Sequence, residues 1–154
     1  MKIYKNKGYW IQYALKLAEQ ALKIGEVPVG AVITLNNKLI GEGKNCVISN
    51  NDPTAHAEIM AIRNAAKFKK NYRLTNSSIY VTLEPCLMCY EALIYSRIEK
   101  IIFGTYDNKS NITKILQRKS TNNIKKNKIK NKILTKKCSD ILINFFKNKR
   151  KNNK

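Results

Sequence analysis

Apolar residues recur at helical spacing near the start of the chain. Trp10, Ala14, Leu17, Ala18 and Ala21 lie three and four positions apart, with lysine, glutamate and glutamine between them. This period predicts an amphipathic helix over 9–24, ending near Gly25. The pattern then changes. "VGAVITL" (29–35) is a β-branched apolar run, "NN" at 36–37 is a tight turn, and "KLIGEG" (38–43) returns as its hairpin partner. "CVISNNDPT" (46–54) reads as a loop, and "AHAEIMAIRNAAKFKK" (55–70) as a second helix. "SIYVTLE" (78–84) is a buried strand, followed by Pro85, which suits a first helical position. A helix over "CLMCYEALIYSR" (86–97) and a strand over "KIIFGT" (100–105) complete the readable part. Strand, helix and strand with such short connections imply parallel neighbours in one sheet, and so an α/β fold.

Beyond Asp107 the pattern weakens. "NITKILQ" (111–117) fits a short helix, and 118–132 is a lysine, asparagine and isoleucine mixture with no readable period. In "CSDILINFFKNKR" (138–150), Ile141, Leu142, Phe145 and Phe146 return to helical spacing and predict a final helix covering the sheet. No repeat or linker divides the chain, so 1–154 is expected to form one domain. No apolar run approaches the roughly 18 residues of a membrane span. The basic N-terminus lacks the apolar stretch of a signal peptide, and a cytoplasmic location is expected.

Charge adds a second layer. The net charge is +20, from 30 Lys+Arg against 10 Asp+Glu. Such an excess favours polyanionic partners, nucleic acid first. A competing reading is compositional, because lysine, asparagine and isoleucine together make 64 of the 154 residues, the mixture an AT-rich coding sequence tends to produce. Residues 114–154 carry a net +14 and residues 1–113 a net +6.

Two helix starts carry the candidate chemistry. His56, the only histidine, and Glu58 open one helix; Cys86 and Cys89 open another. Each alone has an ordinary reading: a structural histidine, a redox or core cysteine pair, a carboxylate favouring a helix dipole. Taken together, H-A-E followed by P-C-x-x-C is a specific pattern. Residues i and i+3 share a face of a helical turn, so both sulfurs reach one metal. With the two helices side by side, one imidazole and two thiolates give zinc three protein ligands and leave its fourth position for water, which is catalytic rather than structural geometry. Glu58 is then placed to carry a proton. Cys46, in a loop, and Cys138, in the last helix, are not expected to be ligands; Cys138 reads as a small buried hydrophobe.

The H-x-E and P-C-x-x-C halves resemble the zinc-dependent nucleoside deaminases. "EVPVGAVI", "GEGKN", "NDPTAHAEIMAIR", "NYRL", "YVTLEPCLMC", "SRI" and "FGTYDNK" resemble the bacterial tRNA-specific adenosine deaminases more closely, continuously from about Tyr9 to Lys109, with a faint return at "ILTKKCSDILINFF". The resemblance implies a three-layer α/β/α fold with a central mixed sheet of about five strands. It also implies hydrolytic conversion of the wobble adenosine in an arginine tRNA anticodon to inosine. One zinc per subunit is implied, on His56, Cys86 and Cys89, with Glu58 as proton shuttle. A homodimer is implied, in which the neighbouring subunit supplies part of the anticodon site. By motif, Asn45 matches a residue that hydrogen-bonds the target base and Val27 the apolar wall of its pocket. Asp107 and Asn108 match a loop against the anticodon nucleotides, and Phe145 and Phe146 an aromatic pair near bound RNA. Residues 110–154 depart from the family pattern: "SNITKIL" replaces a small, glycine-rich stretch, and Tyr106 stands where a basic or small residue is usual. The alternatives are a free base or nucleoside deaminase acting on cytidine or guanine, and a non-enzymatic zinc-containing RNA-binding protein.

Overall fold

A computed structural model describes residues 6–108, 125–128 and 130–152. Helix α1 (Lys7–Lys23) starts at Asn6, whose side chain accepts a hydrogen bond from the Tyr9 backbone N–H. Strands β1 (Gly30–Leu35) and β2 (Lys38–Lys44) form the expected antiparallel hairpin. Asn36 and Asn37 both have left-handed backbones, with φ of 50° and 59°, which a two-residue hairpin turn of type I′ requires. Helix α2 (Ala57–Lys69), strand β3 (Ser77–Leu83), helix α3 (Leu87–Tyr95) and strand β4 (Lys100–Thr105) follow.

The five-stranded sheet has the order β2-β1-β3-β4-β5. β1 is antiparallel to both its neighbours; β3 and β4 are parallel, as their connection through α3 implies. Alternation along the central strands divides the core into two layers. Ala31, Ile33, Ile79, Val81, Ile101 and Phe103 face α2 and α3; Val32, Tyr80 and Ile102 face Trp10, Ile11 and Leu17 of α1. Leu134 and Cys138 join the second layer from the last helix, α4 (Lys132–Asn152). The result is the expected α/β/α sandwich.

Three expectations are corrected. Pro85 is not the first helical residue: Cys86 is the N-cap and α3 begins at Leu87, so proline fixes the chain one step earlier. The last helix starts at Lys132, six residues before 138, because Leu134 and Cys138 extend its buried stripe through a lysine-rich turn. The stretch with no readable period contains a strand, β5 (Lys125–Lys128), parallel to β4. Its neighbour supplies the pairing that its own lysines do not advertise. The short helix expected over 111–117 lies outside the described residues.

One packing contact governs where the site lies. A Cβ at Gly41 would come within 2.6 Å of the Ala61 carbonyl oxygen and the Ala65 N, and one at Gly43 would meet the Ala57 carbonyl oxygen and the Ala61 N. Glycine at both positions lets β2 and α2 touch backbone to backbone, and this seats the α2 start at the end of the sheet.

Candidate active site

His56 and Cys86 occupy equivalent places. Each is the N-cap of its helix, with an extended backbone (φ −67°, ψ 156° and φ −68°, ψ 169°), and neither side chain caps its own helix. Both are thereby free to point away from the helix and towards each other. His56 Nδ1 lies 3.5 Å from Cys86 Sγ and 3.6 Å from Cys89 Sγ. Cys89 sits within the first turn of α3 and is fully buried. The three candidate ligand atoms all lie within 4.8 Å of one another, so the structure brings together the set the sequence pointed to. The Cys89 thiol donates to Cys86, and with help from His56 this draws the Cys86 thiol down to about 4, while Cys89 is raised. The adjacent Cys86 sulfur raises His56 in turn. A thiolate, a second thiol and an imidazole this close are a donor set suited to a metal cation.

Glu58 lies in the first turn of α2 and is 4% exposed. Burial lifts its carboxyl to about 7. It shares a cavity of about 320 Å³ with His56 and Cys86. Val27, Asn45 and Asp107 line the same cavity. Asn108 and Phe146 line a neighbouring one of about 230 Å³, which shares Leu83 and Asp107 with the first. Phe145 lines neither cavity. It is buried, edge-on to Phe146 at 5.2 Å between ring centroids, with the Lys149 ammonium over its ring. Cys46 stands outside the ligand cluster, and Cys138 is fully buried, its thiol pushed up to about 12 by desolvation.

Sequence reasoning missed two carboxylates in this wall. Glu26, the first residue of "EVPVGAVI", is fully buried, and Glu84, inside "YVTLEPCLMC", is 3% exposed; neither was given a role. Glu26 Oε2 accepts from Asn45 Nδ2 at 3.1 Å, and its Oε1 accepts from the Ser49 N–H at 2.7 Å and the Ser49 hydroxyl at 2.9 Å. Burial opposes ionisation of Glu26, but the hydrogen bonds from Ser49 and Ile48 and the nearby Lys149 charge together outweigh it and hold the carboxyl below its ordinary value. Glu84 accepts from the Asp107 N–H at 3.3 Å and pairs with Lys126 of β5. The available signal was an acidic residue inside an apolar stretch of a chain with only 10 acids.

The chain matches the MafB19-like deaminase family over residues 5–150. It is 50% identical over 153 residues to the tRNA-specific adenosine deaminase of Buchnera aphidicola subsp. Baizongia pistaciae, covering 97% of this chain and 93% of that one. It is similar to a structure solved in studies of A-to-I editing by tRNA:A34 deaminases at the wobble position of transfer RNA. The TM-score is 0.80 at 32% identity, over 88% of this chain and 99% of that one. Similarity to guanine deaminase from Bacillus subtilis has a TM-score of 0.63 at 37% identity, over 66% of this chain and 65% of that one. Half the positions shared along nearly the whole of both sequences, on a common fold, is kinship: the chain belongs to the deaminase family, among the tRNA-specific adenosine deaminases.

Proposed function

We propose that this protein deaminates adenosine to inosine in transfer RNA, at the wobble position of an arginine tRNA anticodon, with one zinc ion held by His56 Nδ1, Cys86 Sγ and Cys89 Sγ. The observation that carries the proposal is the clustering of these three donors where His56, Cys86 and the buried Glu58 line one cavity of nucleobase scale. Zinc held there supplies Lewis-acid activation of a water molecule. Glu58 moves the protons. It accepts one from the attacking water, gives it to ring nitrogen N1, and delivers the second to the amine that leaves C6 as ammonia. Oxygen from water replaces the amine, so the balance is adenosine plus water to inosine plus ammonia.

Val27 gives the base an apolar wall, and Asn45 offers it hydrogen bonds. Asp107, Asn108 and Phe146 line the ground next to the reacting base, where flanking anticodon nucleotides splay and stack. Phe145 acts behind Phe146 as its edge-on support. The excess of lysine attracts the phosphates. In this reading the enzyme works as a cytoplasmic homodimer. Among the described residues no helix is long and apolar enough to cross a membrane.

The test is to incubate the protein with transcribed arginine tRNA and, separately, with adenosine, cytidine and guanine. Sequencing reads inosine as guanosine at the wobble position. Editing of the tRNA with the free compounds untouched is expected. Turnover of a free base or nucleoside with no inosine in the anticodon would establish the other deaminase activity instead.

A further inference from the structure

We infer that Glu26 is a positioning residue for the base pocket: its buried carboxylate locks the Asn45 side-chain amide in one orientation and so fixes the hydrogen-bonding pattern offered to the base. The inference rests on the proposed role of Asn45 at that pocket and extends it to a residue that has no other part in the chemistry.

An asparagine amide has two ends of nearly equal shape and opposite hydrogen-bonding character. Turned one way it offers an acceptor to a given point in a pocket; turned by half a revolution it offers a donor. Such a residue discriminates between bases only if something holds it. The Asn45 backbone is held, because its N–H donates to the Val29 carbonyl at 3.1 Å. The side chain is held separately, by Nδ2 on Glu26 Oε2 at 3.1 Å. A carboxylate accepts and does not donate, so only the NH2 end can face it. This leaves Oδ1 and the second N–H of Asn45 for a ligand in the cavity that both residues line.

The second carboxylate oxygen is also engaged. Oε1 takes both the backbone N–H and the hydroxyl of Ser49, so Glu26 cannot rotate away without breaking two further bonds. All three named donors are neutral. Burying a carboxylate is costly, and the nearby Lys149 charge offsets part of that cost. A glutamine keeps only one acceptor oxygen; with that oxygen on the two Ser49 donors, its NH2 end faces Asn45 and admits the reversed amide. The carboxylate, with no donor end, excludes that state. Asn45 is 6% exposed and Glu26 fully buried.

The experiment joins a spectrum to a kinetic cycle. In 15N-labelled protein, the Asn45 side-chain amide is assigned by its loss in Asn45→Asp. In the wild type, one of its two protons is expected to exchange with solvent at least about tenfold more slowly than those of exposed asparagines, and that protection is expected to fall in Glu26→Gln. Once the signal is assigned, free exchange of both protons in the wild type overturns the inference, whether or not Glu26→Gln folds. For kinetics, an arginine anticodon stem–loop serves as substrate. Asn45→Ala is expected to lower kcat/KM by about 10- to 100-fold, Glu26→Gln to lose most of the same factor, and the double variant to be no worse than Asn45→Ala alone. Losses that multiply in the double variant would mean that Glu26 acts independently of Asn45, and would overturn the inference. A wild type that leaves the stem–loop unedited strikes the proposed function, while the amide spectrum still decides whether Glu26 holds Asn45.

Discussion

Glu58 is a carboxyl group taken out of water, and burial raises its proton affinity above that of an exposed carboxylate. That suits a group that must receive a proton and then return it. Removing the carboxyl should therefore separate metal binding from turnover. Glu58→Ala is expected to keep its full metal content, measured by elemental analysis, while kcat on tRNA falls by about 10²–10⁴-fold. Loss of the metal together with activity would make Glu58 a structural support of the cluster instead. At this scale the sequence is informative where chemistry is local. His56 and Cys86 stand at helix starts, and the one-turn step from Cys86 to Cys89 is visible in the spelling. Glu26 is invisible for the opposite reason: its partners lie 19 and 23 positions away, and no local period links an acid to a distant amide.

The elements hold the site by two contacts of different kind. The first is steric. A methyl group at Gly43 would meet the backbone of Ala57 and Ala61 in α2, and backbone cannot yield as a side-chain tip can. Gly43→Ala is expected to cost about 1–3 kcal/mol by denaturant unfolding. It should also weaken metal affinity, since the displaced end of α2 carries His56 and Glu58. A stability loss with unchanged affinity would place the strain elsewhere along the helix. The second contact is ionic. Lys126 of β5 reaches Glu84, which in turn accepts the Asp107 N–H, so the edge strand braces the turn that lines both cavities. Lys126 keeps 17% of its side-chain surface exposed against 2% for Glu84, which puts the loss for Lys126→Met at the low end for a broken buried pair, about 3 kcal/mol. Lys126→Arg should restore most of it; equal losses in both variants would show that shape rather than charge matters there. Neither contact is fully legible in advance. The hairpin and its glycines can be read, but the nearness of α2 is tertiary. β5 is spelled KKNK, a composition that suggests solvent rather than a strand, and only its pairing with β4 reveals it.

For the molecule as a whole, the net charge of +20 sets how a polyanion approaches. Each phosphate neutralised releases counterions, so binding should weaken as salt rises, by about 0.7 in log–log slope per contact on single-stranded RNA. With roughly three to six such contacts, KM for tRNA should rise with a slope of about 2–4 while kcat stays nearly constant. A flat KM would identify the lysine excess as compositional, without a part in binding. The sandwich and the cluster at its rim are legible from the alternation of apolar runs up to Thr105. In the last third the helix carrying Ile141, Leu142, Phe145 and Phe146 is legible, but the stretch before it is not, because lysine, asparagine and isoleucine recur there almost irrespective of the structure they serve. Yet the identity of those residues is not indifferent. Among the described residues β5 lies at one edge of the sheet, and an open edge presents backbone donors and acceptors to any extended segment, including another nascent copy of the same protein. Lysine makes that encounter costly; isoleucine, drawn from the same AT-rich codons, would invite it. The drift that blurs the end of this sequence therefore also decides whether its sheet stops at five strands or goes on to aggregate.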